Sequence, residues 1–522
     1  MTDTLDLDVN ALLDESMGES AAETGKKAPE KKKGRPSQSE LLVKLALGNV
    51  AELFHDPDGC SFAVLPVATG GREHLETWKL RGKGFKSWLC RLFWIAEKKA
   101  PGSQAVADAI GVLEGFAIYE GEERETFVRI GGTEGAIYVD LGDEHWSAVE
   151  VTAEGWRIVS NPPVRFRRPK SLRPLPVPEP GGDLERDLRP LLNIPDDTQW
   201  VRAQTWLVGS YRPKGPHHML VIQGEQGSGK SLTARRMRQT VDPASLVLRS
   251  APREERDLAV ACRSGHVLAY DNLSGIPSWL SDAFCRIATG GGFGTRQLYS
   301  DDEEALFDLQ APILLNGIDD MLERPDLAER SLTLNLPAIP DEERRDEKSL
   351  DAEFLERWPR IFGALLDAVA CSLSRVDEVQ LEVSPRMADA ARWATAAEPA
   401  LGLAPGAVVR AIQAGQEEAL HQGLESEPVA QALLVMLDEG RQVWTGSPSQ
   451  LLKEFHSVAQ ELATGRGFPK SPGALGNRLT RVAPSLRRIG VQVLRHRTKH
   501  GRTVEVRDCR GLLADHENDP AD

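Results

Sequence analysis

The chain has few of the residues on which small stapled or metal-held domains depend. Its six cysteines (Cys60, Cys90, Cys262, Cys285, Cys371, Cys509) are scattered through 522 residues, with no C-x-x-C pair and no histidine at a metal-ligand spacing. That excludes a disulfide framework or a structural zinc site as the basis of the fold. Long apolar runs are missing too: the best, Ile361 to Leu373, is too short for a bilayer and carries Asp367. The first 24 residues hold seven acids and no base, whereas a secretory signal starts basic. These absences predict a cytoplasmic protein with reduced thiols and no membrane partner. Net positive charge is also lacking, since 63 basic residues face 78 acidic ones for a net charge of −15. Indiscriminate electrostatic coating of nucleic acid is thereby excluded. What remains, 41% hydrophobic and 27% charged residues, is an ordinary globular composition, and the length predicts about three or four domains.

Residues 1–38 read as a disordered tail, acidic and then basic, with almost nothing apolar to pack. Within it Lys33-Gly34-Arg35-Pro36 has the form of a short minor-groove hook, although a solvated tail explains it as well. Residues 39–160 are expected to form an α+β accessory domain, with helices over 39–54 and 85–98 and short strands near 127–130, 136–141 and 156–159. Trp78, Trp88 and Trp94 are assigned to its core rather than to a stacking platform. Asp140, Asp143 and His145 lack the alternation that sets two acids on one strand face, so primase chemistry is not predicted. Seven prolines between Pro162 and Pro180 mark residues 161–182 as an extended linker. Its basic run, Arg165 to Arg173, is either solvated or a DNA contact. Beyond it, strand-like and helical stretches alternate as in an α/β domain with a mostly parallel sheet (183–375). A helical connector (376–445), a basic domain (446–510) and a tail (511–522) complete the expected order.

The strongest local signal is Gly224-Glu225-Gln226-Gly227-Ser228-Gly229-Lys230-Ser231, a complete G-x-x-x-x-G-K-[ST]. An apolar run (219–222) precedes it and a helical stretch (232–238) follows. Such a P-loop wraps backbone N–H groups around phosphates; Lys230 would bridge the β- and γ-phosphates of ATP, and the Ser231 hydroxyl would ligate Mg²⁺. The next apolar strand ends in Asp271-Asn272, which makes Asp271 the second metal-holding group. Asn272 stands where a water-activating base would be useful, and an amide cannot take that proton. A third strand (311–315) runs into Asn316-Gly317, placing an amide that could sense the γ-phosphate, or a plain tight turn. Arg330 is the candidate finger for a neighbouring subunit's nucleotide, with Arg324 its rival.

The order of these motifs resembles the superfamily 3 helicases of the AAA+ class, in particular the ATPase part of phage and poxvirus type primase-helicases. Ala288-Thr289-Gly290-Gly291-Gly292-Phe293-Gly294-Thr295-Arg296 looks like the family's segment leading into a DNA-touching hairpin, and 354–366 like its closing helix. The resemblance covers residues 183–375. It implies a P-loop NTPase core, a ring of identical chains, a hexamer, with ATP between subunits, and Arg296 on single-stranded DNA in the channel. The Asn272 position departs from the family pattern, and Glu225 or an acid of Asp301-Asp302-Glu303-Glu304 is the remaining base candidate.

Charge is segregated: from Arg466 to Arg507 eleven bases face one acid, Glu505. The helix–helix–hairpin pattern there predicts a winged-helix-like domain on duplex DNA through Arg478, Arg481, Arg487, Arg488, Arg495 and Arg497. A protein-binding or solvated domain is the alternative. The combined expectation is an ATP-dependent DNA helicase or DNA-stimulated ATPase for replication of a phage or mobile element, with a primase or other replication protein as a candidate partner. Its alternatives are an ATP-gated DNA-binding or assembly factor without unwinding, and a defence or signalling ATPase.

Overall fold

The computed structural model describes residues 36–296, 304–317, 321–322, 324–438, 440–465, 467–498 and 501–510. The expected tails, the Lys33–Arg35 part of the hook, Asp301 to Glu303 and the Lys499-His500 turn lie outside the described residues.

The chain begins with α1 (Gln38–Leu47), closed by a capping box between Ser37 and Glu40. An antiparallel sheet follows, β1 (Glu52–His55), β2 (Ser61–Thr69) and β3 (Arg72–Lys79), and then α2 (Lys83–Glu97) and α3 (Ser103–Tyr119). Leu42, Leu65, Phe85, Leu89, Phe93, Val106 and Leu113 form one core. The helix α3 is absent from the sequence expectation. Val106, Ala109, Leu113 and Ala117 do recur at helical spacing and are buried, but Val112 and Ile118 on the outer side blur the apolar stripe. Trp78 and Trp88 pack against this core, whereas Trp94, expected inside, is exposed.

A second antiparallel sheet comprises β5 (Ile130–Thr133), β6 (Ala136–Asp140), β7 (Ala148–Thr152) and β8 (Gly155–Val159), preceded by the two-residue β4 (Thr126–Phe127). Its apolar face (Ile137, Val139, Val149, Val151) joins the core of the following α/β part and not that of β1–β3. Residues 39–160 therefore hold two packing units.

Residues 161–182 differ from the expected linker in the same way. β9 (Arg165–Phe166) pairs in parallel with β4, and Phe166 and Leu175 are buried. Proline offers no N–H to satisfy, so this extended stretch fits between packed surfaces. Three cations of the basic run are engaged internally, while Lys170 and Arg173 are exposed. Arg165 donates to Glu52, Arg167 Nη1 to the Arg263 carbonyl at 2.9 Å, and Arg168 to Asp140. Asp140, weighed for catalysis, is thus an ion-pair partner inside the fold.

The α/β part contains α4 (Leu184–Asp187), α5 (Asp197–Gly209), β10 (Met219–Gly224), α6 (Lys230–Val241), α7 (Glu255–Arg263), β11 (Leu268–Leu273) and α8 (Ser278–Thr289). It continues through β12 (Gly291–Arg296), β13 (Glu304–Leu309), β14 (Ile313–Gly317), α9 (Pro325–Ala328), β15 (Ser331–Leu336) and the 29-residue α10 (Glu347–Arg375). Four parallel strands run in the order β11-β14-β10-β15. β12 and β13 form a separate antiparallel hairpin with Arg296 opposite Glu304.

α11 (Ala388–Ala396) and α12 (Ala407–Glu425) belong to the large core through Trp393, Val408 and Ile412. The fully buried Arg202 of α5 reaches Glu418 of α12 with both terminal nitrogens, at 2.7 and 2.8 Å. The expected connector ends early. α13 (Pro428–Asp438) packs with β16 (Val443–Gly446), α14 (Pro448–Val458), α15 (Gln460–Thr464), α16 (Pro472–Arg488), β17 (Val491–Thr498) and β18 (Gly501–Asp508) around Leu433, Met436, Phe455, Leu479 and Val506. Together these units make a mixed α/β multidomain architecture. No helix among the described residues is long and apolar enough to cross a membrane.

Candidate functional site: the glycine-rich loop between β10 and α6

β10 is buried along Met219–Gln223 and lies centrally in its sheet, between β14 and β15, so the loop at its C-terminal end opens over the sheet edge. Gly224, Gly227 and Gly229 have φ of 144°, 86° and 76°, a region that side chains disfavour. At Gly224 a Cβ would also sit 2.3 Å from the Leu336 carbonyl oxygen. Gly229 caps α6 without a side-chain acceptor, and the first turn of α6 has no acid, so its leading N–H groups face the loop hollow. Asn193 clamps the loop from outside by donating to the carbonyls of Ser228 at 2.9 Å and Pro337 at 2.7 Å. No sequence signal marked that asparagine.

Lys230 Nζ donates to the carbonyls of Gly224 and Glu225, both at 2.6 Å, and lies 3.4 Å from Ser228 Oγ. Its ammonium therefore rests on the loop backbone. The Ser231 hydroxyl donates to Asp271 Oδ1 at 3.0 Å. Asp271 is held at the end of β11 by its own N–H, which donates to the Arg249 carbonyl at 2.8 Å. One hydroxyl and one carboxylate fit a magnesium ion that keeps waters and phosphate oxygens as its other ligands. Among the described residues no group of three or more His, Cys, Asp and Glu is placed to enclose a metal.

Asn272 adopts φ of 55° and its side chain is exposed, while its N–H donates to Asn316 Oδ1 at 2.9 Å. That fixes the Asn316 amide. Asn316 is 1% exposed, and its Nδ2 has no hydrogen-bond partner among the described residues. A buried donor without an acceptor costs about 1–3 kcal/mol, a cost an arriving oxygen would remove. Arg344, which the sequence reading did not single out, stands beside the loop with Nη2 3.1 Å from where a Gly227 Cβ would be.

Arg330 follows α9 and is half-buried; Nη1 donates to the Asp326 carbonyl at 2.7 Å, and Nε has no hydrogen-bond partner among the described residues. Arg324 is tied to Asp282 at 2.7 Å. The Arg296 backbone lies in the β12–β13 hairpin, and its side chain lies outside the described residues.

In the C-terminal unit Arg478 pairs with Glu427 at 3.0 Å, and Arg495 donates to the Gly476 carbonyl at 2.8 Å and to Thr480. Both brace the fold. Arg481, Arg487 and Arg488 are exposed on α16, with Arg481 and Arg488 bordering a cleft shared with α9 and α12. The side chain of Arg497 lies outside the described residues.

At the other end of the parallel sheet, Arg263, His266, Leu309 and Gln310 border a separate cavity. His217, His218 and His266 are buried there, and desolvation pushes all three below the usual histidine range, His218 to about 4. Burial pushes the Asp242 carboxyl up, but Arg238 and Arg129 outweigh it and hold the group below the usual carboxylate range.

The family described as AICE RepA, Actinomycete integrative conjugative element replication protein, matches residues 187–417. The AICE RepA C-terminal domain matches residues 429–515. The chain is similar to both at a distance, and no curated protein matches it. Among solved structures, an apo form of the NrS-1 C-terminal region is 12% identical, with 90% of this chain and 99% of that one covered and a TM-score of 0.40. A second NrS-1 structure, residues 305–718, is 10% identical over 90% and 98% at a TM-score of 0.37. JCV helicase bound to a small molecule is 12% identical over 47% and 66% at a TM-score of 0.22.

Proposed function

We propose that the protein is an ATP-dependent DNA helicase or DNA-stimulated ATPase acting in replication of a mobile element. The observation that carries this reading is the Ser231–Asp271 contact at the mouth of a loop with the full G-x-x-x-x-G-K-S sequence. In this reading the α/β part is an AAA+-like P-loop NTPase. Backbone N–H groups of 224–231 hold the phosphates, and Lys230 leaves the loop carbonyls for the β- and γ-phosphate oxygens. Ser231 and Asp271 would hold Mg²⁺, which supplies charge neutralisation for phosphoryl transfer. Asn316, its Oδ1 already occupied, offers Nδ2 to the γ-phosphate. Arg330 acts on the nucleotide of the neighbouring subunit in a hexamer, Arg296 contacts single-stranded DNA in the channel, and the C-terminal unit binds duplex as a winged helix.

The family descriptions support a replication role, because the matched models are of replication proteins. ATP hydrolysis with and without single-stranded DNA, together with strand displacement, tests the reading. DNA-stimulated turnover and unwinding are expected; nucleotide binding without either would overturn it. Lys230→Ala is expected to abolish turnover, and Arg330→Ala to spare nucleotide binding while lowering turnover.

The exposed amide at Asn272 supports a second reading. With no carboxylate at that position, an ATP-gated DNA-binding or assembly factor with slow turnover becomes a coherent alternative.

A further inference from the structure

The outer face of α2 lies on the N-terminal core, apart from the glycine-rich loop. From Lys79 to Lys99 the chain carries seven cations against the single acid Glu97. Phe85, Leu89 and Phe93 turn inward. At 100° per residue, Lys83, Arg91, Trp94 and Lys98 then share the outward side, with Lys86 at its flank. Trp94 is 55% exposed and makes no ring contact among the described residues, and Ile95 beside it is 52% exposed. The side chains of Lys83, Lys86, Arg91, Lys98 and Lys99 have no hydrogen-bond or ion-pair partner among the described residues.

A solvated charged face accounts for the cations and not for the indole. An isolated exposed tryptophan leaves apolar area in water, and elsewhere in this unit Trp78 and Trp88 are packed. The start of the helix adds a second feature. Gly82 caps α2 without a side-chain acceptor and the first turn has no acid, so free N–H groups sit beside Lys83 and Lys86. Cations and helix N–H groups suit phosphates, while a flat exposed ring amid them suits an unpaired base. A duplex hides its base faces within the stack, so the ring selects for a single strand.

We infer that the outer face of α2 is a binding surface for single-stranded nucleic acid, with phosphates on Lys83, Lys86 and Arg91 and a base stacked on Trp94. This surface is independent of the nucleotide reading and is tested without nucleotide.

The full chain is titrated against a fluorescent 30-nucleotide oligodeoxythymidine by anisotropy over a salt series, with amide hydrogen exchange read in parallel. Trp94→Ala is expected to weaken binding by roughly tenfold, within the usual range for one stacked base, and Trp94→Phe to restore most of it. The triple variant Lys83→Ala/Lys86→Ala/Arg91→Ala is expected to lower the slope of log affinity against log salt by about 2, at roughly 0.7 per phosphate on a single strand. Protection is expected over residues 83–99. Unchanged melting temperatures separate these effects from misfolding, and the exposed positions make that the expected result. Wild-type affinity and slope in both alanine variants would overturn the inference, whatever binds elsewhere on the chain. A loss for Trp94→Ala that is equal on duplex and single strand would also overturn it.

Discussion

The Ser231 hydroxyl donates to Asp271 Oδ1 at 3.0 Å, although 40 residues separate the two in sequence. The contact joins the first turn of α6 to the end of β11. If it marks a magnesium site, Asp271→Asn keeps the acceptor oxygen for Ser231 but removes the charge that holds the metal. Steady-state ATPase assays are expected to show at least a hundredfold loss of turnover, with fluorescent nucleotide still bound. Turnover within a few-fold of wild type would remove Asp271 from the metal site.

Asn316 ties two functions together. Truncation to alanine strips the Asn272 N–H of its acceptor and deletes the unpartnered Nδ2. Chemical denaturation is expected to register a loss of about 1–2 kcal/mol, and kcat to fall at least tenfold with KM for ATP little changed. An unaltered kcat would leave Asn316 with a structural role only.

Arg129 is fully buried with φ of 69°. Nη1 donates to the Asp140 carbonyl at 2.6 Å, Nη2 to the carbonyls of Arg173 and Pro243, and Nε to Asp242 Oδ1 at 3.4 Å. It thus pins the β5–β8 sheet and the proline-rich segment to the α/β part. Arg129→Ala removes one of the two arginines facing Asp242, takes the donor from the Asp140, Arg173 and Pro243 carbonyls and empties a large site, so a loss of about 3–5 kcal/mol is expected in urea unfolding. A change under 1 kcal/mol would refute the pinning role.

Acid should weaken the fold from near neutrality. The folded pKa values of His217, His218 and His266 lie below the unfolded value of 6.5, so the unfolded chain binds more protons as pH falls. Their contribution is complete above about pH 6.5 and is lost toward pH 4, where His218 titrates in the folded protein. Asp242, whose pKa is depressed by Arg238 and Arg129, adds a second loss as pH falls below the ordinary carboxylate value of 3.8. Melting temperatures recorded from pH 7.5 to 4.5 should decline steadily below 6.5; a flat profile would contradict the burial of neutral histidines.

The arginines of the C-terminal unit divide by what holds them. Arg478→Ala removes the Glu427 partner and is expected to cost stability, whereas Arg487→Ala leaves the melting temperature unchanged. In the DNA-binding reading, fluorescence anisotropy with duplex should show the larger loss for Arg487→Ala. Equal affinity for Arg487→Ala and wild type would count against α16 as the duplex-contacting helix.

Local order made part of this legible in advance. The glycine spacing at 224–231 marks a strand–loop–helix because loop chemistry is a property of contiguous residues, and the charge cluster at 466–507 needs only counting. The same local rules failed where apolar residues lie on both sides of an element, as with Val112 and Ile118 on α3, or where an extended stretch has no internal hydrogen bonds to announce its packing, as with 161–182.

The sequence by itself determined the loop, its helix and the acid at the end of β11, since each follows from periodicity, glycine and charge over a short window. Only the tertiary structure decided that Asp271 meets Ser231, that Asn316 faces Asn272, that Arg165, Arg167 and Arg168 are spent inside the molecule, and that Trp94 stands in solvent. Those outcomes depend on which surfaces compete for the same buried area and the same partners across the whole chain, and no single window of sequence contains that competition.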